Sequence, residues 1–335
     1  MSAPRVSVLM PVRNEERFLP AALASLYRQS LTAWELVVVD DGSTDGTPEL
    51  LRAAAARDRR VRVLDNAGTG LVDALNHGLA HCRAELVARM DGDDVSHPRR
   101  LERQAAALDA DPGLGLVATR FRHFPRHSVG LGMRAYEEWQ NALLSHEEIM
   151  RDRFVESPVI HPSIMVRRQV LTGAGGYRKT GWAEDYDLWL RLAAGGVRFG
   201  RLPEVLFFWR ERPERATRTM GEYAADALRA CKIHHLQQGV LQGVDTVTLA
   251  GAGLEGRAWQ RALAREGVRV SRWLDVDPRK QGRILHGAPV TAPDDMRGGA
   301  EKILVTVGTR GARDGIRAWA RRAGLREGED FVCVT

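Results

Sequence analysis

Cysteine is nearly absent from this 335-residue chain. Cys82, Cys231 and Cys333 lie far apart and form no C-x-x-C pair, so neither a disulfide framework nor a cysteine zinc site is indicated, and a reducing compartment is favoured. Lysine is scarce as well: of 49 basic residues only Lys179, Lys232, Lys280 and Lys302 are lysines, a compositional bias toward arginine. Long apolar runs are missing. The run from Val6 to Val12 is far too short to span a bilayer and is followed at once by Arg13-Asn-Glu-Glu-Arg17. Neither a signal peptide nor a transmembrane helix is expected, which places the chain in the cytoplasm, with peripheral contact at the inner face of the cell membrane as the membrane alternative. Blocks of one charge sign are also lacking. The formal net charge is +6, but the basic residues are scattered among 43 acids, which argues against a nucleic-acid partner. The densest basic stretch holds Arg120, Arg122, His123, Arg126, His127 and Arg134, interleaved with Phe121 and Phe124. It reads as a solvated loop, with contact to anionic lipid headgroups or an acidic acceptor as its functional alternative.

What is present is an ordinary globular composition, 44% hydrophobic and 27% charged, in a chain long enough for two domains. Apolar strand-like runs at Val6 to Met10, Trp34 to Val39, Val61 to Leu64, Glu85 to Arg89 and Leu114 to Ala118 alternate with helical patterns. One helical pattern carries Leu19, Leu23 and Leu26, a second starts at Thr47-Pro48, and a third carries Leu71, Leu75 and Leu79. This alternation predicts an α/β fold with a doubly wound, mostly parallel sheet. Residues 120 to 158 lose the rhythm and read as a functional loop or lid. Beyond them the pattern predicts a helix from Asp185 to Ala194, a strand from Pro203 to Trp209 and a long helix from Gly221 to Val240. From about Asp245 the rhythm restarts. The expected division is a first domain at 1–220, a helical connector at 221–243 and a smaller α/β domain at 244–335.

In doubly wound sheets ligands bind at the carboxyl ends of the strands. Asn14 and Glu15 follow the first strand, Asp40 and Asp41 the second, and Asp91-Gly-Asp-Asp94 the fourth. In a still-extended chain residues two apart point the same way, so Asp91 and Asp93 can face one ligand. Paired carboxylates suit a hard divalent cation, Mn²⁺ or Mg²⁺. Read in isolation, D-G-D-D is a solvated acidic turn; the company it keeps decides otherwise.

Six motifs in order carry a resemblance: Val8-Leu-Met-Pro-Val-Arg-Asn-Glu15, Val38-Val-Asp-Asp-Gly-Ser-Thr-Asp-Gly-Thr47, Asn76-His-Gly78, Asp91-Gly-Asp-Asp94, His161-Pro-Ser163 and Ala183-Glu-Asp-Tyr-Asp-Leu-Trp-Leu-Arg191. Over its first 240 or so residues the chain resembles a family 2 glycosyltransferase of the GT-A fold. The resemblance implies transfer of a sugar from a nucleoside-diphosphate sugar, a UDP-sugar favoured, to a hydroxyl of a glycan or lipid-linked acceptor in cell-surface polysaccharide synthesis, with inversion and a divalent metal. It implies that Pro11, Asn14 and Glu15 border the nucleotide, that Asp41 or Asp40 holds its base, that Asp93 and Asp94 ligate the metal, and that Asp91 contacts the ribose while Asn76 belongs to the donor site. Asp185 would be the catalytic base with Glu184 orienting acceptor or base, and His161 and Arg210 would contact the diphosphate. Two departures stand out. No basic residue occurs in Asn66-Ala-Gly-Thr-Gly70, and Trp209-Arg-Glu-Arg-Pro213 matches the family's closing motif only loosely.

The chemistry needs a group that neutralises the leaving diphosphate and a carboxylate that takes the acceptor's proton. At a helix start Asp185 is expected to stay ionised, with lowered basicity, and to act by proximity. Structural readings stand beside these: Glu184-Asp185 as a helix cap, His161 as a packed strand-end histidine, Trp182 as packing instead of a sugar platform. Gly251-Ala-Gly-Leu-Glu-Gly256 followed by Asp275 and Asp277 fits a small Rossmann-like unit whose glycines serve a tight turn first and a nucleotide second. Gly308-Thr-Arg-Gly311 repeats that strand-to-glycine junction. The competing functions are a catalytically inactive nucleotide-binding or partner-recruiting subunit, a sugar-nucleotide nucleotidylyltransferase, and an NAD-dependent oxidoreductase. Pro11-Val-Arg-Asn-Glu-Glu16 lacks the Gly-rich basic loop that the second would need.

Overall fold

Strand and helix alternate along the chain because apolar β-branched runs alternate with amphipathic ones, and a computed structural model describes residues 3–213, 215, 220–295, 301–309 and 311–335. Two compact units result: residues 1–149, 158–180 and 184–219 form the first, and 150–157, 181–183 and 220–335 the second. In the first unit the order is β1 (Val6–Val12), α1 (Leu19–Tyr27), β2 (Trp34–Asp40), α2 (Thr47–Arg57), β3 (Val61–Asp65), α3 (Leu71–His81), β4 (Leu86–Arg89), β5 (Val95–Ser96) and α4 (Arg100–Ala110). Then come β6 (Leu114–Phe124), α5 (Leu131–Ala142), α6 (His146–Asp152), β7 (Met165–Arg167), α7 (Arg168–Gly173), α8 (Glu184–Ala194) and β8 (Arg198–Arg210), with α6 ending in the second unit.

Eight strands make one sheet in the order β3-β2-β1-β4-β7-β6-β8-β5. β3, β2, β1 and β4 run parallel, β7 runs antiparallel between β4 and β6, and β8 returns parallel to β6. All seven residues of β1 and of β2 are buried, as a central parallel strand covered on both faces requires. Gly78 lets α3 lie close to this pair: a Cβ there would come 2.3 Å from Leu9 Cδ1 and 2.9 Å from Val39 Cγ2. The carboxyl ends of β1, β2 and β4 therefore sit side by side.

The irregular lid expected over 120–158 is not what forms. β6 continues to Phe124 alongside the second half of β8, and α5 and α6 follow. The helical period of α5 was hidden because two of its buried positions are Glu137 and Gln140. Glu137 accepts from the His123 main-chain N–H (2.7 Å) and Arg126 (2.8 Å), so this inner face is polar and satisfied. The strand expected at Pro203 to Trp209 is the end of the longer β8.

The second unit holds a 3₁₀ turn at Gly221–Tyr223, α9 (Ala225–Gln237), β9 (Thr246–Ala250), α10 (Leu254–Arg265), β10 (Arg269–Leu274), β11 (Ile284–Leu285), β12 (Ala288–Thr291), β13 (Lys302–Val305), α11 (Ala312–Arg322) and β14 (Phe331–Cys333). Its six-stranded sheet runs β11-β12-β10-β9-β13-β14, parallel except at β11. Arg310, inside the second glycine junction, lies outside the described residues. No helix among the described residues is long and apolar enough to cross a membrane.

Candidate active site

The turns after β1 and β2 are laced together. Asn14 takes a positive φ of 55°, its N–H donates to Ser43 Oγ (2.9 Å), and its Oδ1 accepts from the Thr44 N–H (2.8 Å). The Glu15 N–H donates to Thr47 Oγ1 at 2.8 Å. Asp40 Oδ1 accepts from Ser43 Oγ (2.5 Å), and Asp41 Oδ1 from Asn66 Nδ2 (2.6 Å) and the Gly70 N–H (2.9 Å). Pro11 is paired to Val39 within the β1–β2 register. One oxygen each of Asp40 and Asp41 thus shapes the turns.

At the end of β4, Asp91, Asp93 and Asp94 bring carboxylate oxygens within 4.8 Å of one another. Gly92 is required between them, because a Cβ would meet Val12 Cγ1 at 2.8 Å and Glu15 Cγ at 3.2 Å. The Arg210 N–H donates to Asp94 Oδ1 (2.7 Å) and Arg210 Nε to the Asp93 carbonyl (2.6 Å). The Arg210 guanidinium itself lies 4.4 Å from the ring centres of both Phe18 and Phe124. It is Arg212 that reaches the carboxylates, pairing with Glu15 and lying 2.9 Å from Asp93 Oδ2. Burial, with the nearby Asp93, pushes Glu15 up to about 7 against the pull of Arg212. Burial and Asp91 raise Asp93, and burial with both neighbouring acids raises Asp94 well above the usual carboxylate range.

These residues fit a hard divalent cation. Within the cluster Asp94 Oδ2 is buried and accepts a hydrogen bond from no described residue, Glu15 Oε2 outside it does the same, and a tight group of carboxylates with an unmet oxygen is the donor set Mg²⁺ and Mn²⁺ take.

On the α8 side, His161 Nε2 lies 2.9 Å from the Tyr177 hydroxyl and Nδ1 lies 3.6 Å from Glu184 Oε1. Burial and the neighbouring Arg89 lower its pKa to about 4, so the ring is neutral at physiological pH. Asn76 clamps the Tyr177 main chain with two bonds of 2.9 Å, so its amide acts on the site through Tyr177. Glu184 is buried and Asp185 half-buried at the start of α8. The expectation of a weakly basic Asp185 is corrected here: burial and Glu184 push it up to about 8, outweighing the Tyr186 N–H that it accepts and the charge of Arg89. Trp182, counted with the second unit, lies against His234 with ring centres 5.3 Å apart.

Two cations went unread in the sequence. Arg89, buried at the end of β4, pairs with Asp91, and its charge also bears on Glu184 and Asp185. The available signal was an arginine inside an otherwise apolar strand. For Arg212 the signal was its place in Trp209-Arg-Glu-Arg-Pro213, the loosely matched closing motif. Beside the acidic cluster opens a cleft of about 1000 Å³ lined in part by Asn14, Arg17, Phe18, His127, Arg210 and Arg212.

In the second unit, Gly256 is needed for packing, since a Cβ would fall 1.9 Å from the Gly251 carbonyl oxygen. Asp275 Oδ2 accepts from the Ala252 N–H (2.9 Å) and Lys280 Nζ (2.8 Å), which ties the glycine turn to its own sheet.

The sequence profile of the family described as Glycosyl transferase family 2 matches residues 7–173. A putative glycosyltransferase, EpsE of Bacillus subtilis (strain 168), is 36% identical over 236 residues, covering 67% of this chain and 80% of its own. A UDP-Gal:alpha-D-GlcNAc-diphosphoundecaprenol beta-1,3-galactosyltransferase of Escherichia coli is 28% identical over 233 residues, 68% of this chain and 82% of its own. Among solved structures, S. aureus TarS 1-349 in complex with UDP superposes with a TM-score of 0.54 at 19% identity, over 78% of this chain and 70% of its own. The mannosyltransferase PcManGT from Pyrobaculum calidifontis, in complex with GDP-Man and Mn²⁺, gives 0.51 at 24% identity, over 80% and 70%. These structural likenesses bear out the expected GT-A fold.

Proposed function

The chain belongs to glycosyltransferase family 2, and from that premise we propose that it is an inverting, metal-dependent enzyme moving a hexose from a nucleoside-diphosphate sugar to a hydroxyl of a glycan or lipid-linked acceptor in cell-surface polysaccharide synthesis. UDP is the favoured carrier, in line with the donor named for the galactosyltransferase relative and the nucleotide bound to TarS. A lipid-linked acceptor would place the work at the inner face of the cell membrane. The observation that carries the reading is the buried charge of Arg89, felt by Asp91 on one side and by Glu184 and Asp185 on the other. Donor-side and acceptor-side carboxylates thus share one cation.

In this reading Asp41 or Asp40 holds the base, Asp91 the ribose, and Asp93 with Asp94 the Mn²⁺ or Mg²⁺. The metal would neutralise charge growing on the diphosphate as it leaves. His161, neutral and oriented by Tyr177, borders the donor phosphates, and Arg210 holds the metal-binding turn from outside. Asp185 accepts the proton of the acceptor hydroxyl while that oxygen bonds to the anomeric carbon and the carbon–oxygen bond to the diphosphate breaks. Attack opposite the leaving group inverts the centre. Glu184 orients the acceptor.

Thermal stability of the purified protein against nucleoside diphosphates and their sugars, with Mn²⁺, Mg²⁺ or EDTA, tests this. A metal-dependent rise in Tm with one nucleotide, lost in Asp93→Ala, is the expected outcome. No rise with any nucleotide would favour the inactive-subunit reading.

A further inference from the structure

Arg212 lies just beyond β8, and its guanidinium bridges two carboxylates from different turns: it pairs with Glu15 after β1 and lies 2.9 Å from Asp93 Oδ2 after β4. Beside each of them an oxygen accepts nothing from the described residues, Glu15 Oε2 and Asp94 Oδ2, in residues that are 7% and 0% exposed. A guanidinium is a flat, singly charged fork that engages the oxygens lying in its plane. A small divalent ion gathers oxygens from several directions and carries twice the charge. The arginine thus holds part of the ground that such an ion would take, and holds it incompletely.

We propose that Arg212 is an exchangeable internal cation: it competes with the divalent metal for Glu15 and Asp93, and gives way when a donor diphosphate offers its guanidinium another anion. The proposal rests on the metal-dependent reading given above and concerns the order in which that site is filled.

Two further observations support it. Arg212 borders the open cleft together with Arg17, Phe18 and Arg210; its Nε is buried and its guanidinium lies 5.4 Å from the Phe18 ring centre, while its side chain as a whole is 23% exposed and so reaches solvent. Two residues earlier, Arg210 is anchored by its N–H on Asp94, its Nε on the Asp93 carbonyl and the rings of Phe18 and Phe124. The end of β8 therefore stays pinned to the acidic turn while the Arg212 side chain moves. An arginine that leaves a hydrogen bond to Glu15 and an ion pair with Asp93 for a diphosphate exchanges one set of anionic oxygens for another. The functional consequence is coupling. Metal alone must displace Arg212 into water, whereas metal arriving with a nucleoside diphosphate displaces it onto phosphate, so each ligand tightens the other equally.

The test is direct Mn²⁺ binding to EDTA-stripped, dialysed full-length protein, followed by titration calorimetry and by the electron paramagnetic resonance of free Mn²⁺, with and without UDP or GDP. Without nucleotide, Arg212→Met is expected to bind Mn²⁺ at least tenfold tighter than the wild type. Added nucleotide should then tighten Mn²⁺ binding at least fivefold more in the wild type than in Arg212→Met. Equal or weaker Mn²⁺ affinity in Arg212→Met overturns the exchange while leaving the metal site standing. Mn²⁺ binding by neither protein overturns the metal site and the exchange together. Should Arg212→Met not fold, Arg212→Lys retains the charge but loses the fork. At least threefold tighter Mn²⁺ binding is expected there, and an unchanged affinity overturns the proposal.

Discussion

Burial decides the behaviour of the two side chains that matter most at the scale of the residue. Asp185 is pushed up to about 8 by burial and by Glu184, so it carries its proton through neutral pH in the free protein, and in the proposed role of base it is expected to lose function as pH falls below that value. The expected kcat/KM profile rises with pH and levels off above about 8, and Asp185→Asn lowers kcat by about 10²–10⁴ while leaving metal-dependent nucleotide binding in place. The same shift has a stability sign. The folded protein holds this proton more tightly than the unfolded chain, so the contribution is complete at acid pH and is lost as pH rises through the folded value. Asp185→Asn should therefore raise Tm more at pH 9 than at pH 5. Arg89 and Asp91 make an asymmetric pair, with side chains 5% and 31% exposed. Asp91→Ala strands a buried guanidinium and should cost about 3 kcal/mol in urea unfolding, whereas Arg89→Met leaves an acid that water can reach and should cost less. None of this was legible in the sequence. Its reading of Asp185 as an ionised helix-start carboxylate rested on local position, and local position says nothing of desolvation.

Among elements, the strands and their terminal acids were the most readable, because β1 and β2 are mainly apolar, with Ser7 and Glu35 near their starts the exceptions, and acids follow where the apolar runs stop. The Asn76-His-Gly78 motif was readable as a motif but not as a mechanism. Gly78 sits against Leu9 and Val39, both fully buried, so neither can retreat. Gly78→Val is expected to destabilise by at least about 2 kcal/mol in urea unfolding, through overpacking of the α3–sheet contact. In the same motif Asn76 serves Tyr177, 101 residues away, which no spacing rule could supply. The α5 segment failed as a prediction for a related reason: Glu137 and Gln140 are buried where a hydrophobic period would need Leu or Ala, Glu137 answering His123 and Arg126 and Gln140 answering Arg201 of β8 as well as Tyr136 of its own helix.

Across the whole molecule, the two units make opposite use of the glycine turns and acids at their strand ends. In the first, carboxylates with raised proton affinity and unmet oxygens gather at the ends of β1 and β4. In the second, Asp275 is held below its usual range, the hydrogen bonds from Lys280, Asp277 and Ala252 outweighing its burial, and it already caps the glycine turn. Hydrogen–deuterium exchange with Mn²⁺ and the preferred nucleotide should accordingly protect residues 11–16, 40–46 and 91–94 and leave 250–256 unchanged. Protection at 250–256 would assign a nucleotide to the second unit as well. Sequence alone determined the alternation of elements, the order of motifs and hence the family and the GT-A fold, because these depend on short-range periodicity and on residue types at strand ends. Tertiary structure decided which cation answers which carboxylate and which acids keep their protons. Those outcomes depend on burial and on charges from distant parts of the chain, as with Glu15 and Arg212, 197 residues apart in sequence and paired in space.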